Sequence, residues 1–194
     1  MDFLGWLTVG LSAVWFATEV NVSVQKRSGE RSEVKDRLSL VVMWATTVVS
    51  IAFAVSIELI PAIVGGTGKT LALSPFLGYF GCLVMVAGLA IRLRAIATLS
   101  KQFTVQVAIV QDHKIIDKGL YGIIRHPSYL GSLVTFAGLG LALENWLSLL
   151  VLLALPAAAI VYRISVEEKA LLDHFGPAYR DYMRRTRRLI PGIL

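Results

Sequence analysis

Charge is scarce in this sequence. Only 16% of its 194 residues are Asp, Glu, Lys or Arg, while 56% are hydrophobic. A water-soluble domain carries about 25% charged residues to wet its surface. An ordinary soluble fold is therefore excluded, and lipid must cover part of the chain. Cysteine is almost absent too. The single one, Cys82, lies in an apolar run, which excludes a disulfide framework and a cysteine-ligated zinc site. The three histidines, His113, His126 and His174, are too scattered to suggest a metal cluster by spacing, and no metal is expected.

Long apolar runs are what the sequence does have, with a mean hydropathy of +0.68. A helix needs about 20 apolar residues to cross about 30 Å of hydrocarbon. Three such runs cover 3–24, 38–64 and 74–99, and two shorter ones cover 127–143 and 146–162. Only Glu144 and Asn145 separate the last pair, so they form an antiparallel helical hairpin. Asp2 and the lack of a basic leader argue against a cleavable signal. Five spans with an outside N-terminus put eighteen of the nineteen lysines and arginines on one side, leaving only Lys69 opposite. The positive-inside rule makes that side cytoplasmic. The pI near 9.7 is then a mark of membrane topology, and nucleic acid is not needed as a partner.

Glu19 and Glu58 fall near span ends and read as interfacial acids. The run Gly65-Gly66-Thr67-Gly68-Lys69-Thr70 resembles a phosphate loop. That motif requires glycine at position 63, which here is Ile63, and a strand before it, so the run reads as an external turn. The chain divides into 1–99, three spans with a basic loop at about 25–37, and 100–194, which carries the chemistry.

A connection of about 27 residues, 100–126, precedes the hairpin, and loops of that length are commonly functional. Phe103, Val105, Val107 and Ile109 alternate with Thr104, Gln106 and Ala108, an extended pattern. Residues 111–114 read as a turn and Ile115-Ile116 as a short return. The run Gly119-Leu120-Tyr121-Gly122-Ile123-Ile124-Arg125-His126-Pro127-Ser128-Tyr129-Leu130-Gly131 follows. Beyond the hairpin come Glu167-Glu168, then Phe175-Gly176-Pro177-Ala178-Tyr179-Arg180-Asp181-Tyr182, and Arg188-Leu189-Ile190-Pro191. In order and spacing these pieces resemble the isoprenylcysteine carboxyl methyltransferase family of integral membrane enzymes, over residues 106–191. The helix-three end, with Arg92 and Arg94, is more arginine-rich than the family signature requires.

The resemblance implies an all-α integral membrane protein: five transmembrane helices, a cytoplasmic cofactor-binding segment and a C-terminal helix. It implies S-adenosyl-L-methionine as cofactor, bound by Gln106, His113, Lys114, Ile115, Ile116, Tyr121, His126, Pro127, Ser128, Tyr129 and Glu167. It places the family's substrate-side arginine at Arg163. The chemistry is physically reasonable, because such an enzyme holds and aligns while the cofactor supplies reactivity. Pro127 suits the first position of a helix, whose start presents free N–H groups to a carboxylate. His126 and Tyr129 add donors there. Arg163 and Glu167, four apart, share a helical face, and Arg163 can grip a carboxylate with two parallel bonds.

Each residue also has a plainer reading. His126 could cap the helix, Tyr121 and Tyr129 could be interfacial aromatics, and Arg163 and Glu167 an interfacial ion pair. His113 could be a turn residue and His174 structural, while Arg125 anchors headgroups or a nearby carboxylate. The 184–188 cluster reads as attracted to anionic lipid. The leading expectation is carboxyl O-methylation of a lipophilic, isoprenylcysteine-like acceptor entering from the bilayer. The alternatives are phospholipid N-methylation, for which Glu168 is the obvious base, thiol S-methylation, or a non-catalytic lipid-binding scaffold. A small chain of this kind suits a prokaryotic plasma membrane.

Overall fold

The computed structural model describes residues 2–25, 33–36, 38–63, 76–103, 107–109 and 114–190. The apolar runs become helices, because in lipid a segment must satisfy its own backbone hydrogen bonds. These are α1 (Phe3–Gln25), α2 (Leu38–Ile63), α3 (Leu77–Leu99), α4 (Pro127–Ala142) and α5 (Trp146–Phe175), followed by the short α6 (Pro177–Arg185). Helices α1, α3 and α5, and Leu38–Ile57 within α2, are long and apolar enough to cross a membrane.

The fifth expected span differs. Helix α4 has 16 residues, which at 1.5 Å each makes about 24 Å, short of the hydrocarbon thickness. Nine of those residues are buried in protein, so α4 is the inner element rather than a lipid-facing one. It packs chiefly on α3, then on α5; α5 packs on α2, and α1 touches both α3 and α4.

The α3–α4 contact is set by glycine. A Cβ added at Gly81 would lie 2.7 Å from the Gly138 carbonyl oxygen, and one at Gly138 equally close to that of Gly81. Seven residues away, Gly88 and Gly131 repeat the relation at 2.7 and 2.8 Å. Two reciprocal glycine pairs thus bring the backbones of antiparallel helices together, which small residues permit in membranes. At the hairpin turn Asn145 caps α5, its Oδ1 accepting from Leu147 N at 2.9 Å and Ser148 N at 3.1 Å.

Two other expectations need amendment. The helical class holds with one small addition, an antiparallel ribbon of β1 (Glu33–Asp36) and β2 (Val107–Ile109). The extended stretch was legible, but its partner is the segment before α2. Ile115 and Ile116 lie in irregular chain rather than a return strand. Helix α5 also runs beyond the apolar stretch ending at Tyr162, continuing unbroken to Phe175. Loss of hydropathy there marks a change of surroundings, not of backbone. Gly176, at φ 55°, ends it and lets Pro177 begin α6.

The glycine contact is directly testable. Gly138→Val should destabilise the detergent-solubilised protein by more than the ~1–3 kcal/mol usual for overpacking, because the obstacle is backbone. Gly10→Ala, with nothing within 4 Å, should leave thermal unfolding unchanged. Equal stability of both variants would refute the close packing.

Candidate active site

The first turn of α4 organises the site. Pro127 occupies its first position and His126 precedes it, but the His126 side chain does not cap the helix. It turns instead toward α5, with Nε2 3.3 Å from Glu168 Oε1 and Nδ1 4.0 Å from Glu167 Oε1. Its ring stacks on Tyr129, centroids 5.8 Å apart. His126 is 4% exposed, so it is held in place on all sides.

Adjacent residues of α5 diverge because successive helical positions point about 100° apart. Glu168 is buried and turned toward the chain's end. Its Oε1 accepts from Arg125 Nε at 2.8 Å and its Oε2 from Arg188 Nη2 at 2.5 Å. Arg125 also donates to the carbonyls of Thr186 at 2.6 Å and Met183 at 3.1 Å. Backbone bonds fix the same junction, Arg125 N to Arg187 O at 2.7 Å and Arg187 N to Ile123 O at 3.0 Å. The Tyr182 hydroxyl donates to Tyr121 O at 2.7 Å. Leu189, fully buried, packs with Ile160 and Ile164 beneath. The segment after α6 is thus a wall of the site.

Glu167 keeps 31% of its side chain exposed and accepts from the Tyr129 hydroxyl at 2.8 Å. That hydroxyl in turn accepts from Arg163 Nε at 2.8 Å. The result is a line from cation to phenol to carboxylate across α4 and α5. Arg163 is 2% exposed, and its Nη1 donates to Ser39 Oγ at 3.0 Å. Arg163 and Glu167 do share a face, and Tyr129 links them. Tyr121, in the 3-10 turn 119–122, is buried, which pushes its phenol pKa up, and the nearby Glu167 charge adds to the rise.

The residues expected in the site fall into three groups. His126, Tyr129, Arg163 and Glu167 converge; Pro127 starts the helix that carries Tyr129, and the Ser128 hydroxyl accepts from Arg92 instead. Lys114, Ile115 and Ile116 lie in the irregular approach, where the Lys114 N–H already donates to Gln102 Oε1 at 2.7 Å. Gln106 and His113 lie outside the described residues, as do the 65–70 run and Lys69. Among the described residues no group of three His, Cys, Asp or Glu could hold a metal.

Three contributions were not anticipated. Glu19 is buried within the protein as one half of an ion pair. It is 6% exposed, and its carboxylate accepts from Arg92 Nε and, at 2.6 Å, from Arg92 Nη2. Arg92 also donates to Ser128 Oγ at 2.9 Å, tying α1 and α3 to the start of α4. The signal existed, an acid and an arginine each near a span end, but nothing local pairs residues 73 apart. Arg188 belongs to the Glu168 cluster rather than to a lipid-facing tail. Arg184 and Arg185 stay exposed, beside Asp181 and Asp117 at 3.6 Å. Ser39 had no sequence signal at all.

A set of apolar helices enclosing buried cations and carboxylates defines an integral membrane protein with a polar cluster inside it. Comparison with known proteins shows what the chain is similar to. Residues 81–173 match the family model of the isoprenylcysteine carboxyl methyltransferase (ICMT) family, so the resemblance read from the motifs holds where the two overlap, over 106–173. The probable protein-S-isoprenylcysteine O-methyltransferase of Oryza sativa subsp. indica is 31% identical over 120 residues, 61% of this chain and 63% of that one. The corresponding Saccharomyces cerevisiae protein is 35% identical over 115 residues, 58% and 48% respectively. The chain thus matches about half to two thirds of the length of these relatives. Among solved structures, the eukaryotic intramembrane Ras methyltransferase ICMT superposes with a TM-score of 0.54 at 28% identity, over 80% of this chain and 52% of that one.

Glu168 is the charge on which the wall depends. Glu168→Ala leaves the buried Arg125 guanidinium without its carboxylate and also frees the partly exposed Arg188, at a cost of about 3–5 kcal/mol. Trypsin should then cleave at 187–188 much faster and thermal unfolding should begin earlier. Unchanged protection of that segment would contradict the assigned cluster.

Proposed function

We propose that this chain is a membrane methyltransferase that transfers a methyl group from S-adenosyl-L-methionine to the carboxylate of a lipophilic, isoprenylcysteine-type acceptor. The observation that carries the reading is the Arg163–Tyr129–Glu167 line, which lies within the family-matched segment and presents a cation at one end and a carboxylate at the other. The relatives, named as protein-S-isoprenylcysteine O-methyltransferases, agree with it.

The site's residues fit the proposed cofactor. Glu167 is its accessible carboxylate, suited to amino or hydroxyl groups, and the uncapped start of α4 suits an anionic end. When bound, the cofactor supplies an electrophilic methyl on a positively charged sulfur. Everything else is positioning. His126, Tyr129 and Glu167 hold one ligand, with Gln106, His113–Ile116, Tyr121, Pro127 and Ser128 completing that side. Arg163 holds the acceptor carboxylate, already ionised and needing no general base. An amine acceptor needs one, and Glu168 is poorly placed to serve: both its oxygens accept from arginines. The catalytic region is residues 100–194, resting on the first three helices.

For orientation we take five membrane passages, with α4 crossing sheltered by its neighbours, the N-terminus outside and the site at the cytoplasmic face. The basic asymmetry supports this. A cysteine introduced near Lys69 should label from outside and one near Arg31 should not. The opposite pattern would invert the site.

The functional test uses Arg163→Ala, Arg163→Lys and His126→Ala. His126→Ala should weaken cofactor binding about 10- to 150-fold by calorimetry, the range for one lost charge-assisted bond. Arg163→Ala should abolish transfer while leaving cofactor affinity within about threefold, and Arg163→Lys should rescue poorly, lacking the planar fork. Loss of cofactor affinity in Arg163→Ala would put the arginine at the wrong end.

A further inference from the structure

Residues 2–80 fall outside the family-matched segment, yet they supply a direct partner to Arg163. That partner is Ser39, in the first turn of α2, whose side chain is fully buried. Its Oγ accepts from Arg163 Nη1 at 3.0 Å, while the Tyr129 hydroxyl accepts from Nε at 2.8 Å. Two of the three guanidinium nitrogens are thereby tied to different helices. A planar guanidinium held at two nitrogens has its plane fixed, and that plane decides whether a carboxylate can be gripped by two parallel bonds.

Asp36 completes the arrangement. It sits just before α2 and accepts from Leu38 N at 2.8 Å and Ser39 N at 3.0 Å. Partial burial, the largest single influence, would raise its pKa. The hydrogen bonds from the Ser39 hydroxyl and the two backbone N–H groups, with the Arg163 charge, outweigh it and hold the carboxyl below its ordinary value. Asp36 thus pins the Ser39 backbone at the start of α2, and the Ser39 hydroxyl oxygen presents its lone pairs to Arg163.

We propose that Ser39, held in place by Asp36, is a positioning residue for the methyl acceptor, setting the plane of Arg163 from the part of the chain that precedes the family-matched segment. The proposal rests on the acceptor role of Arg163 proposed above. It makes the start of α2 a determinant of acceptor recognition and leaves the cofactor end to α4 and Glu167.

The experiment compares Ser39→Ala and Ser39→Thr in the full-length protein, with S-farnesyl-N-acetylcysteine as acceptor and calorimetry for the cofactor. Ser39→Ala should raise the acceptor KM about tenfold, with cofactor Kd within about twofold. Ser39→Thr retains a hydroxyl and should return KM to within about threefold of wild type. In an Arg163→Lys background, Ser39→Ala should add less than about twofold, because the two changes act through one contact. The proposal is overturned if Ser39→Ala has wild-type kinetics, if Ser39→Thr fails as badly as alanine with both ligands weakened, or if the effects multiply in the lysine background. Normal turnover by Arg163→Ala would instead overturn the acceptor reading itself. Failed Arg163→Ala beside normal Ser39→Ala would leave that reading intact and remove only Ser39.

Discussion

The backbone contact between α3 and α4 is the constraint on which the site depends. Without side chains between them at the two glycine pairs, α4 sits against α3 at one depth only. That depth brings Arg92 beside the first turn of α4: a Cβ at Gly131 would lie 2.6 Å from the Arg92 backbone nitrogen. The arginine can then reach Ser128, and Glu19 on α1 neutralises it. His126 and Tyr129 lie at that turn, and Arg163 and Glu167 on α5 reach Tyr129 from the other side.

Burying charge near hydrocarbon is costly unless each charge is paired and its hydrogen bonds satisfied. The protein meets this by giving each buried ion partners on separate elements. Glu19 and Arg92 join α1, α3 and α4. Glu168 gathers Arg125, Arg188 and His126 from before α4 and after α6. Arg163 joins α2, α4 and α5. The pairs therefore act as fasteners between elements that apolar contact alone would leave free to slide. Glu167, the more exposed acid, differs in keeping part of its side chain accessible, which is what a binding group requires.

The helices were legible because hydropathy over about 20 residues is a local signal, and the apolar runs match α1, α2 and α3 to within a few residues. The motif around His126 and Glu167 was legible for a similar reason: its residues are close in sequence or four apart on one helix. What escaped was non-local or silent in hydropathy. Gly81, Gly88, Gly131 and Gly138 count as nearly neutral in an apolar run, and their meaning lies in the facing helix. Glu19 looked interfacial because its partner lies 73 residues away, and Ser39 is one serine among many until α2 meets α5. The short α4 was read as an ordinary span since composition does not distinguish lipid from protein as apolar surroundings.

Carboxylate, amine and sulfur acceptors yield methylated products of different stability, which allows a direct decision. Purified protein incubated with S-adenosyl-L-methionine carrying a labelled methyl group and S-farnesyl-N-acetylcysteine should yield labelled product. Treatment with mild base should then release the label as volatile methanol, as expected of a methyl ester. Label that stays bound through base treatment, or no transfer to this acceptor with cofactor binding intact, would contradict carboxyl methylation as the function of the site.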